Sequence, residues 1–302
     1  MADYPAQQPG TPPVAESTVA ACAATALTIV YSAPTPGVGS RYADGPVAHE
    51  SRVLSVSPAG EALAAAGREA VGETVLRAAG ASNALAGYAD PKSVGYLAPL
   101  ARAALLGRPS ERVLRELTHD DVGPFLRALE VAGVEGPLVG TLRVAVGAGK
   151  EATLRDAMRF AAGTDALARE YARDFEITRE LARPAFLGSL SRGDSARAAV
   201  VQTYLEVLSE TPDLEASRRA GSREAEDVSR MARGVLKAGG VHSRRGIEAI
   251  GNLDGVLRSD GRLSPTATEP PVVAAVFLVA LEYGPAALAH RLRPATGGVR
   301  GR

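Results

Sequence analysis

Apolar residues recur every three or four positions through much of this chain, which is the spacing of one face of an α-helix. The pattern is clearest in the last third, over residues 200–208 and 225–236. Residues 272–281 are apolar on every side. Because a helix without a polar face is typical of a protein interior, we expect this last segment to form a central, buried helix.

The first half of the chain shows the same spacing with longer interruptions. It predicts helices at about residues 14–31, 59–79 and 94–106. Residues 34–58 are rich in Gly, Pro and Ser and have no steady period, so we expect a long loop there. Residues 133–150 are Gly-rich and are interpreted as a linker or a helix–helix excursion.

Several polar residues stand where these helices are expected to begin. Ser110 is a candidate N-cap, and Thr118 followed by Asp121 resembles a capping box. Thr153 and Thr164 are expected to open two further helices.

No stretch alternates apolar and polar residues as a half-buried strand would, and no repeat of fixed period is evident. Hydrophobic residues make up 46% of the chain and aromatic residues only 4%, so the core must be built from Ala, Leu and Val. Ala and Leu favour helices. We therefore predict an all-α fold, a single multi-helix globular domain of ten or more helices over residues 14–290, with a flexible N-terminal arm (1–13) and a flexible C-terminal tail (291–302).

The charge balance argues against large polyanionic partners. The 302 residues carry 34 basic and 34 acidic side chains, which gives no electrostatic reason to expect a nucleic-acid or membrane surface. No signal peptide is visible, and the longest apolar run is too short to span a bilayer. We expect a cytoplasmic protein with a small-molecule substrate, no nucleic-acid or membrane partner, and room for a homodimer.

The residues that most often bind metals are few and scattered. The histidines at 49, 119, 242 and 290 have no second ligand at helical distance, so we expect no metal site built on them. The single cysteine, Cys22, lies in an Ala-rich helical stretch and is interpreted as a buried, inert thiol.

A Gly-rich turn near the N-terminus is one candidate anion site. It contains Gly37 and is followed by Arg41. Backbone N–H groups in such a turn can surround a phosphate, and an arginine can add a bidentate contact. Ordinary turn chemistry explains the glycines equally well.

A second candidate lies at residues 213–221, where Asp213, Arg218 and Arg219 fall within seven residues. A surface ion pair between Glu215 and Arg219, four residues apart, is an equally good interpretation of the spacing. If the cluster is functional, we expect its charged groups to face a shared cavity, with Gly221 permitting the turn.

Taken together, four segments resemble one family: residues 34–37, 154–175, 213–221 and 263–277. The chain is similar to the triphosphoribosyl-dephospho-CoA synthase family, and most similar to its archaeal-type branch. The resemblance implies an all-helical enzyme that joins a ribose triphosphate unit from ATP to dephospho-CoA. In that reaction a ribose 2′-hydroxyl attacks the anomeric carbon of ATP, and adenine leaves.

The scaffold matches this family better than its polar motifs do. Among the matching positions, several motif residues persist, namely Gly72, Glu73, Asp213, Arg218, Gly221, Pro265 and Thr268, with Arg219 in place of a lysine. Others are replaced, and the residues now present are Thr35, Val38, Ser51, Arg52, Ala89, Asp90, Pro91, Lys92, Ser264, Thr266 and Pro270. Carboxylates and Asn would organise Mg²⁺ around a triphosphate, so these losses should cost most of an ATP site.

The resemblance implies roles for the residues that persist. It implies Asp213 or Glu73 as the catalytic base or metal-bridging carboxylate. The residues expected to bind substrate are Arg218, Arg219, Arg41, Gly37 and Thr268. It also implies ATP and Mg²⁺, which the replaced motifs oppose, so the cofactor is left open. Three functions remain: a divergent transferase acting on a ribose-phosphate or nucleotide-type substrate, a repurposed enzyme for a less anionic substrate in a secondary-metabolite pathway, and a non-catalytic binding or scaffold subunit.

Overall fold

The computed structural model describes residues 12–290, and these residues form an all-α protein. Most of the predicted arm and the whole predicted tail lie outside the described residues. The helices of the first half are α1 (Glu16–Tyr31), α2 (His49–Leu54), α3 (Val56–Ala64), α4 (Val71–Ala86), α5 (Pro91–Leu106), α6 (Ser110–Arg115), α7 (Val122–Val131) and α8 (Pro137–Gly147).

The second half continues with α9 (Leu154–Ala161), α10 (Ala166–Ala172), α11 (Arg183–Ser191), α12 (Ala196–Glu210), α13 (Leu214–Ala220), α14 (Ser222–Lys237), α15 (Arg244–Ser259), α16 (Glu269–Tyr283) and α17 (Pro285–His290). A π-helical stretch, Ile177–Ala182, precedes α11. Within residues 12–290 no β-strand is present, and one isolated bridge joins Ser40 to Ala43. The all-α prediction is confirmed.

The predicted central helix is α16. It packs against α1, α5, α11 and α12, and residues 269–277 are all buried. Its first turn contains Pro270 and Pro271, which a helix tolerates there because the first N–H groups have no intrahelical partner. The start of α16 therefore lies inside the molecule, where its end groups must find partners from other segments. No helix among the described residues is long and apolar enough to cross a membrane.

Two predicted boundaries between helices and loops are wrong. The expected loop over 34–58 contains α2 and the start of α3, with Pro58 in the first turn of α3. The expected helix over 59–79 is broken between α3 and α4. Arg102 donates to the carbonyls of Ala66 and Glu69 in this break, which satisfies backbone groups that a continuous helix would have paired.

The Gly-rich segment over 133–150 contains the full helix α8. Its buried face, Leu138, Val139, Leu142 and Ala145, has helical spacing and packs between α7 and α9, which outweighs the low helix propensity of glycine. Gly133 and Gly136 adopt positive φ in the preceding turn.

The local cap predictions are partly confirmed. The capping boxes Thr118–Asp121 and Thr153–Asp156 both form. Thr164 is not the cap of α10, because Asp165 holds that position and accepts from the amide of Ala168. Ser110 is the first residue of α6 and not its cap, and its hydroxyl donates to Asp174 instead.

Candidate functional site

Three chain segments that are far apart in sequence meet at the start of α16. The Thr268 hydroxyl donates to Oδ2 of Asp213 at 2.9 Å. Arg219 donates to the carbonyl of Ser264, and the Ser264 hydroxyl donates to the carbonyl of Gly37 at 2.6 Å. Hydrogen bonds thus connect the Gly37 turn, α13 and the 264–268 loop. We call these five residues and the charged groups bonded around them the candidate site.

Asp213 is the structural centre of this site. It is buried and caps α13, with Oδ1 accepting from the amides of Glu215 and Ala216, both at 2.9 Å. Burial raises the pKa of Asp213, and the Ala216 amide, the Thr268 hydroxyl and Arg219 work in the opposite direction by stabilising the carboxylate. Since both oxygens already accept hydrogen bonds, Asp213 fixes the position of α13 against the start of α16.

A cationic rim lies beside Asp213 and consists of Lys92, Arg218 and Arg219. Glu215 joins two of these groups: Lys92 Nζ lies 2.7 Å from Oε1 and Arg218 lies 2.8 Å from Oε2. Burial alone would raise the pKa of Glu215, but Lys92 and Arg218 hold it below its usual range. Arg219 bonds the carbonyls of Glu215 and Ser264 and no described carboxylate. The carboxylates of Asp213 and Asp165 also interact with Arg219 and Lys92, so the positive charge of this rim is partly compensated.

A buried ion pair closes the inner side of the site. Arg52 lies 2.5 Å from Oε2 of Glu269, and both side chains are more than nine-tenths buried. Arg52 also donates to the carbonyl of Gly39 at 2.7 Å. Its guanidinium stacks 4.0 Å from the ring centroid of Tyr31, whose hydroxyl donates to Asp90 at 2.9 Å. This ion pair connects the 39–52 region to the first residue of α16.

Both partners of this pair are charged although they are buried, and burial disfavours the charged form of a side chain. Burial alone would lower the pKa of Arg52, and Glu269 together with Tyr31, Tyr88 and Asp90 more than offsets it, so the arginine stays protonated. Burial raises the pKa of Glu269, and Arg52 opposes that shift. Oε1 of Glu269 is buried and has no hydrogen-bond partner among the described residues. An unsatisfied buried acceptor costs about 1–3 kcal/mol, and a donor on a ligand would relieve that cost.

The Gly37 turn is a structural joint in this conformation. Gly37 has a φ of +73°, and a Cβ there would lie 2.8 Å from Cβ of Leu257. Its amide donates to Asp254 at 2.8 Å, and Asp254 also pairs with Arg258 at 2.8 Å. The expected phosphate cradle is therefore not formed at this amide, because a carboxylate of α15 already accepts its hydrogen. Arg41 is exposed and makes no ion pair with a described residue.

The structure does not bring Glu73 into the candidate site. Glu73 is exposed on α4 and lies 4.0 Å from Arg127 of α7. The neighbouring Gly72 is retained for packing: a Cβ there would lie 2.2 Å from the carbonyl oxygen of Asp121. This accounts for the glycine by close approach of α4 to the turn before α7.

The expectation that the whole 213–221 cluster faces a shared cavity is wrong for Arg218. Its side chain is 45% exposed and pairs with Glu215, three residues earlier. The Glu215–Arg219 ion pair also does not form, because Arg219 uses the backbone carbonyl of Glu215. Asp213, Arg219, Thr268 and Gly37 do lie together, with Arg218 at the solvent edge.

Sequence reasoning missed four charged groups as parts of this site: Arg52, Asp90, Lys92 and Glu269. Three of them were noted only as replacements in a motif or its neighbourhood. Their partners lie up to 217 residues away, so no local spacing indicates the pairing. A usable signal was the placement of Glu269 directly before an apolar helix, where an acidic side chain is forced inside.

The carboxylates present do not fit a divalent cation site. Asp213 binds amides and a hydroxyl, Glu215 binds two cations, and Glu269 binds Arg52. Across residues 12–290, no group of three or more His, Cys, Asp or Glu side chains is placed to hold a metal ion. The Mg²⁺ that the resemblance implies is therefore not matched by the donors that the described part of the chain provides.

Two surface cavities of about 370 and 230 Å³ lie elsewhere. Both are lined in part by Arg173 and Asp174, beside the residues Asp174 and Phe175 that adopt positive φ. None of the residues that line them belongs to the candidate site. We assign the site from its converging polar groups and not from cavity volume.

Comparison with known proteins identifies a family and a solved structure that share this fold. The sequence profile of a family described as ATP:dephospho-CoA triphosphoribosyl transferase matches residues 16–287. A solved structure from Archaeoglobus fulgidus, described as a candidate triphosphoribosyl-dephospho-CoA synthase, superposes with a TM-score of 0.59 at 23% identity. The match covers 76% of this chain and 98% of that one, and at this identity it shows the fold alone. No curated protein matches the chain significantly.

Proposed function

We propose that this chain is a divergent transferase acting on a ribose-phosphate or nucleotide-type substrate. The chain belongs to the family of ATP:dephospho-CoA triphosphoribosyl transferases, which is the starting point of the proposal. The observation that carries the proposal is the cationic rim of Lys92, Arg218 and Arg219 beside the first turn of α16. Arginine and lysine are the side chains that bind phosphate, whereas the first turn of α16 adds few backbone donors because Pro270 and Pro271 have no N–H.

In the proposed reaction, the rim holds the phosphate and Glu269 receives a hydroxyl. The unpartnered Oε1 of Glu269 is a buried acceptor, and a sugar hydroxyl satisfies it once local movement of the surrounding side chains admits the substrate. The proton of the attacking hydroxyl passes to this carboxylate while a C–O bond forms at the anomeric carbon. The bond from that carbon to the nitrogen base breaks, and its electron pair leaves with the base.

Asp213 and Thr268 act by positioning. The hydrogen bond between them holds α13, and with it Arg219, against the loop that leads into Glu269. Such preorganisation lowers the entropic cost of aligning the reacting groups. We retain the phosphate role of Arg218 in the proposal, at the edge of the site, whereas Arg41 and Glu73 have no part in it.

A release assay tests this function. The purified protein is incubated with a panel of nucleoside mono-, di- and triphosphates, each with dephospho-CoA or another ribose-containing acceptor, and free base is measured by liquid chromatography with mass spectrometry. We expect release from at least one donor, lost in Arg219→Ala and kept in Arg223→Ala. Exposed Arg223 is a matched control on α14. The absence of release and of binding across the panel would contradict the proposal.

The internal pairing favours one alternative from a different class. Asp254 accepts a hydrogen bond from the Gly37 amide, which was expected to meet a ligand, and Arg52 pairs with one oxygen of Glu269, so much of the polar chemistry here is satisfied within the chain. A non-catalytic binding or scaffold subunit would show this. In that case no nucleotide of the panel would release free base, either with the unsubstituted protein or with Arg219→Ala. A repurposed enzyme for a less anionic substrate would instead release a product from a donor that lacks a triphosphate.

A further inference from the structure

We propose that the candidate site binds a phosphorylated substrate without a divalent metal ion, using Lys92, Arg218 and Arg219 as permanent counter-charges. This inference rests on the proposed function and specifies how its substrate is recognised. It concerns the charges of this chain, which differ from what the family resemblance implies for Mg²⁺.

The first step is the state of the carboxylates. Mg²⁺ needs six oxygen ligands in near-ideal geometry and usually takes one or two from carboxylates. Each carboxylate of the site already has partners: amides and a hydroxyl for Asp213, an amide and the Tyr31 hydroxyl for Asp90, and cationic side chains for Glu215 and Glu269. A cation brought to Glu215 would face both Lys92 and Arg218.

The second step concerns the one free carboxylate oxygen among these groups. Oε1 of Glu269 has no partner among the described residues, but the other oxygen of the same group lies 2.5 Å from Arg52. A divalent ion on Oε1 would therefore be repelled at short range by a buried guanidinium, in surroundings that screen charge weakly. This oxygen suits a neutral donor such as a sugar hydroxyl.

The third step is the positive charge that the rim supplies. Arg219 bonds only carbonyl and hydroxyl oxygens among the described residues, and Lys92 and Arg218 share a single carboxylate. The three side chains supply positive charge of the kind that a bound Mg²⁺ ion would otherwise supply. Unlike a bound ion, it is covalently fixed and does not depend on metal concentration.

Isothermal titration with ribose 5-phosphate tests the inference, because a sugar monophosphate carries both the phosphate and the hydroxyl groups the site would recognise. The titration is run once with EDTA and once with millimolar Mg²⁺, on the full chain. We expect dissociation constants that agree within about threefold. Arg219→Ala should weaken binding at least about tenfold in both buffers, since it removes a charge-assisted hydrogen bond.

Two variants keep the result interpretable. Arg219→Lys retains the charge and should recover part of the affinity, which a merely structural role would not predict. Arg223→Ala, on the exposed surface of α14, should bind as the unsubstituted protein does. Circular dichroism checks that each variant is folded.

The outcomes separate the two proposals. Binding that is more than about tenfold tighter with Mg²⁺ would overturn the metal-free inference and leave the proposed function standing. No binding in either buffer would overturn the inference, whereas the proposed function would still be decided by the release assay with the nucleotide panel. Metal-independent binding that Arg219→Ala does not weaken would show that ribose 5-phosphate binds outside this site, and the inference would be wrong.

Discussion

Replacement of Arg52 by methionine tests whether the buried ion pair organises the site. The substitution leaves the Glu269 carboxylate buried without its countercharge, and it removes the hydrogen bond to the Gly39 carbonyl. Removing one partner of a buried pair typically costs about 3–5 kcal/mol. The side chains are 6% and 9% exposed, so solvent screening gives no reason to reduce that range. We expect the free energy of unfolding to fall by about 3–5 kcal/mol at neutral pH.

The assay is urea denaturation followed by circular dichroism, which gives the free energy of unfolding directly. The exposed pair Arg68–Glu16 provides the comparison: Arg68→Met should change stability by at most about 1 kcal/mol. The double variant Arg52→Met with Glu269→Gln should cost less than the two single changes added together, because it leaves no buried charge. A loss below about 1 kcal/mol for Arg52→Met would refute the reasoning.

The acid dependence of the same variant has a definite sign. Without Arg52, the pKa of Glu269 should rise further, since burial is then opposed by no countercharge. Protonation removes the buried charge and restores stability to the folded variant. The stability gap between Arg52→Met and the unsubstituted protein should therefore narrow as the pH falls from about 7 to about 5, and a gap that widens would contradict this explanation.

Three further predictions concern single residues. Burial raises the pKa of Asp213, so its contribution to stability is lost as the pH rises from the unfolded-state pKa through the folded-state pKa. Urea titrations should therefore show the unsubstituted protein losing stability relative to Asp213→Asn between about pH 4 and 7, and the opposite trend would count against this explanation. Gly37→Ala should lower the melting temperature measured by circular dichroism, because Gly37 has a φ of +73° and an added Cβ would clash with Leu257. An unchanged melting temperature would show that the substitution causes no strain. Burial raises the pKa of Cys22 to about 11. Its thiol should therefore react with Ellman's reagent at about pH 8 only after urea is added, and fast labelling of the native protein would contradict its burial.

The sequence predicted best those features that depend on local spacing. The predicted capping box at Thr118 involves residues three apart and forms, and Thr153 opens α9 as predicted, with a capping box of its own. The all-apolar run over 272–281 identified the buried helix α16, because a helix without a polar face has no stable place at the surface. The loop prediction failed at α2 because Gly and Pro were given more weight than the tertiary contacts that stabilise this helix, and over 133–150 the structure selects the helical alternative, α8, over the linker.

The candidate site was only partly predictable, for a physical reason. Its buried ion pair joins Arg52 to Glu269 across 217 positions, and its rim joins Lys92 to Glu215 across 123. Such pairs arise from how helices pack, and no periodicity in the chain encodes them. The resemblance indicated Asp213 and Thr268, which the structure joins by a hydrogen bond, but it gave no indication that Arg52 would satisfy a carboxylate at the start of α16.

The most direct test of the central claim is a crystal structure of the protein grown with ribose 5-phosphate. The account predicts a phosphate within hydrogen-bond distance of Lys92 or Arg219 and a sugar hydroxyl facing Oε1 of Glu269. A phosphate bound instead in the cavities beside Arg173, or no ligand density at the start of α16 under saturating conditions, would contradict the assignment of the site.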